Sequence, residues 1–234
     1  MIAAKSDMMD DGRATMHPSL AEIAAGLAGM ALVGFGGAIL LLRTGLPPAM
    51  PGLLLTGWSA LAGFAGFGAA WVLRRRAPAF YGVRPVARRW LLIGAGAGIV
   101  AFLAKGLLVL LGGSAIGLPA SPQEIYATGG SGGTAQLVTA TILLGILTPV
   151  GEEFLFRGVV TNGLLRFGAL VGVVGGAVIF ALMHGINIVL PVALLLGLVA
   201  GDLFRRTRSV WPGTMAHIVY NLPTIPVMVM AQAA

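Results

Sequence analysis

Cysteine is absent from this chain of 234 residues. Without thiols the chain has no disulfide, no thiolate metal site and no cysteine nucleophile.

Charge is also scarce, since only 10% of the residues are charged and 57% are hydrophobic. About a quarter of the residues of a soluble domain are charged, so a mean hydropathy of +0.93 places the chain in the membrane class. The two-residue alternation of a membrane β-barrel is absent, and segments in hydrocarbon must satisfy their own backbone hydrogen bonds. We therefore predict an all-α, polytopic membrane protein.

About seven apolar runs approach the length of roughly 20 residues that crosses a bilayer. No linker divides the chain, so we predict an N-terminal tail over residues 1–19 and a single transmembrane domain over 20–234. The tail lacks a compact basic region followed by a small-residue cleavage site, so we expect the first span to be retained. The predicted spans are 20–42, 50–73, 90–111, 135–151 with a continuation to about 166, 168–184, 186–204 and 209–232.

Arginine is concentrated in two loops, with six residues in 74–89 and three in 205–208, while 112–134 contains neither lysine nor arginine. By the positive-inside rule, both arginine loops and the N-terminus are cytoplasmic. Fixing the orientation of the chain in the membrane accounts for these arginines. We therefore expect the lipid bilayer as a partner, and no nucleic acid. The composition favours a prokaryotic inner membrane.

The Gly/Ser-rich stretch 126–136 is predicted to be a flexible outer loop.

Three short polar motifs interrupt the apolar C-terminal half, with the patterns E-E-x-x-x-R, F-x-x-x-H and H-x-x-x-N. A spacing of four puts the second glutamate and the arginine on one helix face as an ion pair. The first glutamate points about 100° away and has no cation on its own helix. The motif residues are Glu152, Glu153 and Arg157, then Phe180 and His184, then His217 and Asn221.

This set of side chains suits hydrolysis. An acidic residue near the bilayer centre costs about 2.5–3.5 kcal/mol, so such groups usually face a wet interior and indicate function. A carboxylate can act as general base on a water that an imidazole also holds, and a His–Asn pair can donate hydrogen bonds to an oxyanion. The most natural substrate is a peptide bond.

The chain has no G-x-S-x-G elbow, which disfavours a serine mechanism. Although H-E-x-x-H is absent, two histidines and a glutamate can bind zinc, so a metal mechanism stays open.

In this order, on successive membrane helices, the motifs resemble those of the CPBP family of intramembrane proteases. That family includes the CAAX prenyl endopeptidases of the Rce1 type and the bacterial Abi proteins. Residues 149–221 match all three signatures without a departure. The resemblance implies a glutamate-dependent intramembrane endopeptidase, with a polar active-site cavity that opens from the membrane and with no required cofactor, although a metal is not excluded.

The resemblance also implies a role for each motif residue. Glu152 is the implied general base that activates water, and His184 is the implied residue that holds and polarises it. His217 and Asn221 are implied to form the oxyanion hole. Phe180 is expected to pack without reacting, and the residues implied to support the site are Glu153 and Arg157.

The sequence leaves the substrate and two other functions open. A membrane-protein or peptide substrate can present a C-terminal tail, a leader or a sorting signal. One alternative is a non-catalytic scaffold or immunity-type binding protein of the same fold. The other is a small transporter that uses Glu152, Lys105 and Asp202 as a proton path. Local pairing with neighbouring arginines explains Asp202 better, and Lys105, inside the third span, can either snorkel or pair with a carboxylate.

The predicted topology contains one conflict. If 135–151 and 168–184 each cross the membrane once, Glu152 lies near the cytoplasmic side and His184 near the outer end. The proposed chemistry needs both residues within reach of one water. We therefore expect one of these two spans to differ from its predicted limits or course.

Overall fold

A computed structural model describes residues 16–47, 49–112, 119 and 125–233. Within these ranges the chain is helical and contains no strand. The helices are α1 (Leu20–Leu42), α2 (Ala49–Arg74), α3 (Arg88–Gly112), α4 (Ile125–Gly130), α5 (Thr134–Phe167), α6 (Val171–Met183), α7 (Val189–Thr207), α8 (Trp211–Asn221) and α9 (Thr224–Ala233). A 3-10 turn over Pro78–Tyr81 lies between α2 and α3.

The prediction of an all-α, polytopic membrane protein is confirmed. In the described ranges, five helical stretches are long and apolar enough to span a bilayer: α1, α2, α3, α5, and α8 together with most of α9. Of the two other predicted spans, one corresponds to α6, which is apolar but shorter, and the other to α7. Residues 1–15 of the predicted tail lie outside the described residues.

Helix α5 runs through the centre of the fold and is 34 residues long. It continues well beyond Glu152, so this residue lies in the middle of the helix and not at its end. Helix α6 then returns antiparallel to α5, because Gly176 packs on Thr161 while the Phe180 ring meets the Phe156 ring at 4.9 Å.

This hairpin resolves the conflict in the predicted topology. Glu152 precedes the turn at Gly168 by about as many residues as His184 follows it, and at about 1.5 Å per residue both lie roughly 20–25 Å from that turn. The two residues therefore lie at similar depth. As expected, one of the two spans differs from the limits that caused the conflict, because the α5 crossing does not end at residue 151 but continues to Phe167.

The two arginine loops lie together at one end of the bundle. Arg84 Nε donates a hydrogen bond of 2.9 Å to the carbonyl of Arg208. At the same end, Asn162 Nδ2 donates to the carbonyl of Phe80 at 3.0 Å, and Asn162 Oδ1 lies 3.2 Å from His17 Nδ1. The sequence placed these regions on one side of the membrane, and the contacts agree with that grouping. Its cytoplasmic identity stays a prediction.

A buried hydrogen bond fixes the start of α1 to the same end. The Tyr81 hydroxyl donates to Glu22 Oε1 at 2.8 Å, and the backbone N–H of Ser19 donates to Glu22 Oε2 at 2.8 Å in a capping box. Burial, together with the bond to Glu22, raises the pKa of the Tyr81 hydroxyl, which therefore remains a donor at neutral pH.

The prediction of a flexible loop over 126–136 was wrong except for residues 131–133, since α5 already begins at Thr134. Residues up to Gly130 form α4, in which Ala127, Gly129 and Gly130 are buried. Gly129 packs directly on the α2 backbone at Leu53. Glycine favours such close contact between helices because it has no side chain to separate the backbones. The composition that indicated a loop thus serves helix packing here.

Close backbone contact also places α2 against the centre of α5. A Cβ atom at Gly63 would lie 2.7 Å from the carbonyl carbon of Gly151 and 2.8 Å from the amide nitrogen of Glu152. Because those are backbone atoms, they cannot move aside as a flexible side chain can. The absence of a side chain at Gly63 therefore determines how closely α2 approaches the first motif.

We expect Gly63→Ala to lower the free energy of unfolding by about 1–3 kcal/mol, the usual cost of overpacking. Gly68→Ala, in the same helix, is the matched control, because a Cβ there meets nothing within 4 Å. Since alanine favours helix over glycine by about 0.5–1 kcal/mol, that variant should be equally or more stable. Thermal unfolding of the purified protein in detergent measures both. Equal midpoints for the two variants would contradict the packing argument.

Candidate active site

Three helices contribute the motif residues to one region. Helix α5 carries the two glutamates and the arginine, α6 carries Phe180 and is capped by His184, and α8 carries His217 and Asn221. The exposed fractions are 4% for Glu152, 0% for Glu153 and Arg157, and 2% for His217. Such burial of charged groups requires partners inside the fold.

Glu153 is the centre of the hydrogen-bonded part of the site. Its Oε1 lies 2.8 Å from Arg157 Nη2 and 3.1 Å from His217 Nδ1. The ion pair between Glu153 and Arg157, predicted from their spacing of four, is present. A Cβ at Gly213 would lie 2.7 Å from the other oxygen of Glu153. Helix α8 can therefore approach this carboxylate because residue 213 has no side chain.

Arg157 is held by charge and by an aromatic face. Its guanidinium carbon lies 4.6 Å from the centroid of the Phe180 ring, within cation–π range. Among the described residues, none of its three nitrogens makes a directional hydrogen bond, although Nη2 is at ion-pair distance from Glu153. The stabilisation of this buried cation thus depends mainly on the Glu153 carboxylate and the Phe180 ring.

Glu152 differs from Glu153 in its contacts. Its Oε2 lies 3.8 Å from His217 Nε2, which is too long for a hydrogen bond but close enough for strong electrostatic interaction. The Glu152 side chain also keeps 6% of its surface exposed, whereas that of Glu153 keeps none. In the described ranges, neither oxygen of Glu152 receives a hydrogen bond. Glu152 is therefore the glutamate that remains able to bind another group.

Phe180 joins the polar residues of the three helices. Its fully buried ring meets the His184 ring at 4.6 Å and the His217 ring at 5.8 Å, in addition to the Arg157 guanidinium. Edge-to-face packing of this kind fixes ring orientation. Phe180 thus links the two imidazoles, which have no direct contact with each other in the described structure.

The hydrogen bond of His184 determines its tautomer. His184 Nδ1 lies 2.9 Å from the carbonyl oxygen of Phe180. A carbonyl oxygen only accepts, so Nδ1 must carry the proton, and Nε2 of the neutral ring is an acceptor. His184 caps the end of α6, and Gly185 then turns the chain away with a φ of 87°.

Asn221 lies one helical turn after His217 on the same helix. Its Nδ2 donates to the carbonyl of Leu144 on α5 over 3.5 Å, the upper limit for a hydrogen bond. The described contacts do not connect Asn221 directly with either glutamate or either histidine. Its amide is thus weakly held beside the cluster.

Sequence reasoning missed Tyr126 on α4. Its hydroxyl is hydrogen-bonded to the side chain of Ser59, and it interacts electrostatically with Glu152. No motif includes Tyr126, and it lies in the stretch that composition assigned to a loop.

The transporter alternative needs Lys105 and Asp202 near Glu152, but both residues have their contacts elsewhere. Asp202 pairs with Arg205 at 2.6 Å, and Lys105 bonds to α9.

The sequence left open a metal mechanism in which two histidines and a glutamate hold the ion. Within the described ranges, no group of three or more histidine, aspartate or glutamate side chains is arranged to hold a metal ion.

Residues 134–223 match the model of one protein family, described as type II CAAX prenyl endopeptidase Rce1-like. This region runs from the start of α5 to just beyond α8 and contains all three motifs. The match supports a CAAX-type intramembrane endopeptidase in general, which acts at the lipid bilayer on a peptide or protein, and it does not favour the non-catalytic alternative. No curated protein and no solved structure is significantly similar to the chain. The region that carries the polar cluster of this membrane protein is therefore similar to the Rce1-like family of type II CAAX prenyl endopeptidases.

Proposed function

We propose that this protein hydrolyses a peptide bond of a membrane-associated protein or peptide, with Glu152 as the general base that activates water. The observation that carries the proposal is the difference between the two adjacent glutamates. Glu153 contacts both Arg157 and His217 through one oxygen, whereas Glu152 receives no hydrogen bond from a described residue. A carboxylate that is buried, close to an imidazole and free to accept a proton fits a general base.

His184 is the second group that would hold the water in this proposal. A water bound between two acceptors directs one hydrogen to each, which leaves an oxygen lone pair for attack. Nε2 of His184 is such an acceptor because Nδ1 donates to the Phe180 carbonyl. The similar depths of Glu152 and His184 in the α5–α6 hairpin support this assignment.

His217 would stabilise the oxyanion together with Asn221. Its Nδ1 already faces the Glu153 carboxylate, so a second donation from Nε2 requires a ring that carries both protons. With a protonated His217, two positive groups balance the two carboxylates, since the guanidinium of Arg157 is the other cation. The charge of the buried cluster is then neutral in total. Asn221 adds an amide donor from the same helix face.

We expect Glu152→Gln to abolish proteolysis while the protein still folds, because the amide keeps the volume of the side chain but cannot accept the proton. Loss of a general base typically lowers the rate by about 10²–10⁴-fold. Mass spectrometry of membrane-protein termini, in cells with the intact protein and with the variant, measures this and identifies the substrate. Asp202→Asn, at a surface ion pair, is the control that should leave the termini unchanged. Identical termini with folded Glu152→Gln would favour the scaffold function.

We expect Glu153→Gln to act mainly on stability, because it leaves the buried guanidinium of Arg157 without its counter-charge. Breaking a buried pair in this way costs about 3–5 kcal/mol. Thermal unfolding in detergent should therefore show a large loss for Glu153→Gln and a small change for Glu152→Gln. The double variant Glu153→Gln with Arg157→Gln should recover part of the loss, since it also removes the stranded charge. Equal losses for the two single glutamate variants would contradict the division of roles.

The proposed mechanism uses no metal, so we expect cleavage of the identified substrate to be unchanged after exhaustive dialysis against EDTA. Added zinc should not increase the rate. Loss of activity that zinc restores would replace the general-base mechanism with one in which two histidines and a glutamate hold the ion.

A further inference from the structure

The ring and the hydroxyl of Tyr126 lie in different surroundings. The ring packs on a small apolar cluster that contains Leu144 of α5. The hydroxyl, at the far end of the side chain, is hydrogen-bonded to the side chain of Ser59 on α2 and interacts electrostatically with Glu152. The polar end of Tyr126 is therefore directed away from the apolar cluster and toward the glutamate without a hydrogen-bonded partner.

The packing of α2 on α5 explains why a hydroxyl held by Ser59 comes close to Glu152. Helix α2 contacts the Leu143 side chain through Gly57. Further along both helices, Gly63 lies against the amide nitrogen of Glu152. The two helices therefore run in the same direction. Ser59 precedes Gly63 by four residues, so it lies on the same face of α2, about 6 Å nearer the start of the helix.

The Glu152 side chain is directed toward the level of Ser59. Side chains of an α-helix tilt toward its N-terminus, so the carboxylate of Glu152 lies over the preceding turn of α5. Because α2 and α5 run in the same direction, that turn faces the part of α2 that precedes Gly63. Ser59 lies in this part, and it holds the Tyr126 hydroxyl there.

The bond between the two hydroxyls leaves one hydrogen for another acceptor. Each hydroxyl carries one hydrogen and can accept two hydrogen bonds. When Ser59 donates to the Tyr126 oxygen, the hydrogen of Tyr126 remains available. An ionised carboxylate only accepts, and Glu152 is the carboxylate that interacts with this hydroxyl.

We propose that Tyr126 is a positioning residue for Glu152: its hydroxyl accepts from Ser59 and donates, through one water, to the Glu152 carboxylate. This inference rests on the proposed function and adds α4 to the three helices that build the site. A hydrogen bond to the ionised form of a carboxyl group favours that form. The donation thereby keeps Glu152 ready to take a proton from the attacking water and leaves its other oxygen for that water.

Loss of this hydroxyl should change the titration of Glu152 while its other neighbours stay in place. Helix α2 carries no charged residue before Arg74, so it contributes none beside Glu152. Among the described residues, the charged or titratable groups around Glu152 belong to α4, α5, the end of α6 and α8. They are Tyr126, Glu153, Arg157, His184 and His217.

Infrared titration of the purified full chain in detergent tests the inference without a substrate. The carboxyl band of Glu152 is identified as the band that Glu152→Gln removes. In Tyr126→Phe the pH midpoint of this band should rise by about one unit, as expected when an ionised group loses one hydrogen bond. Ser59→Ala should raise the midpoint by less. The double variant should raise it no further than Tyr126→Phe alone, because Ser59 acts through the tyrosine.

Tyr81→Phe is the matched control. It removes another buried tyrosine hydroxyl, which donates to Glu22 at the arginine-rich end, and should lower stability without moving the Glu152 midpoint. An unchanged or lowered midpoint in folded Tyr126→Phe would overturn the inference, and so would an equal rise in Tyr81→Phe or additive shifts in the double variant. If Tyr126→Phe does not fold, Ser59→Ala decides the question, with an unchanged midpoint as the contrary result.

The titration also separates this inference from the proposed function. With the substrate that the analysis of termini identifies, Tyr126→Phe should lower kcat about 10-fold on the acidic side of the pH profile, with recovery at higher pH and an unchanged KM. A raised midpoint with no Glu152-dependent termini in cells would keep the role of Tyr126 in the titration and remove the protease. Glu152-dependent cleavage with the same midpoint in Tyr126→Phe would keep the protease and remove the role of Tyr126.

Discussion

The contact of one carboxylate oxygen with two positive or hydrogen-donating groups determines the rest of the site. Glu153 Oε1 lies within 3.1 Å of both Arg157 Nη2 on its own helix and His217 Nδ1 on α8. Because these groups are almost fully buried, each would be costly without the others. The contact thereby fixes α8 against α5, orients the His217 ring, and leaves Glu152 as the carboxylate without a hydrogen-bonded partner. The proposed chemistry depends on that difference.

Helix packing supplies the depth and the proximity that this contact needs. The long α5 helix turns back through α6, so that His184 comes to the level of Glu152, and the Phe180 ring then meets both imidazoles. Glycines permit the close approaches: Gly63 brings α2 to the backbone of Glu152, and Gly213 admits the Glu153 carboxylate. Small residues at helix contacts are common in membrane proteins, where packing takes over much of the role of the hydrophobic effect.

The described charged groups differ in how completely they are paired with opposite charges or hydrogen-bond partners. At the arginine-rich end, Asp202 pairs with its neighbour Arg205, and Arg84 donates to a backbone carbonyl. Those of the central cluster pair across helices. Glu152 and Lys105 lie in the middle of their helices, and neither has an oppositely charged group of the described chain within hydrogen-bond distance. In a low-dielectric interior, incompletely paired groups are the ones best able to interact with a substrate.

The sequence by itself determined the membrane class, the helical fold and the ion pair between Glu153 and Arg157, because these follow from composition and from spacing along one helix. Helical periodicity also showed that Glu152 differs from Glu153, but it could not identify His217 as the group between them. Only the tertiary structure decided that Glu152 and His184 lie at similar depth and that 125–130 form a packed helix. It also decided that Tyr126 bonds to Ser59 and Lys105 to Thr224. Each of these depends on where α5 ends and on which helices touch. Apolar runs mark that a helix crosses the membrane, but they carry little information about its limits or its neighbours, because lipid and helix interfaces accept the same side chains.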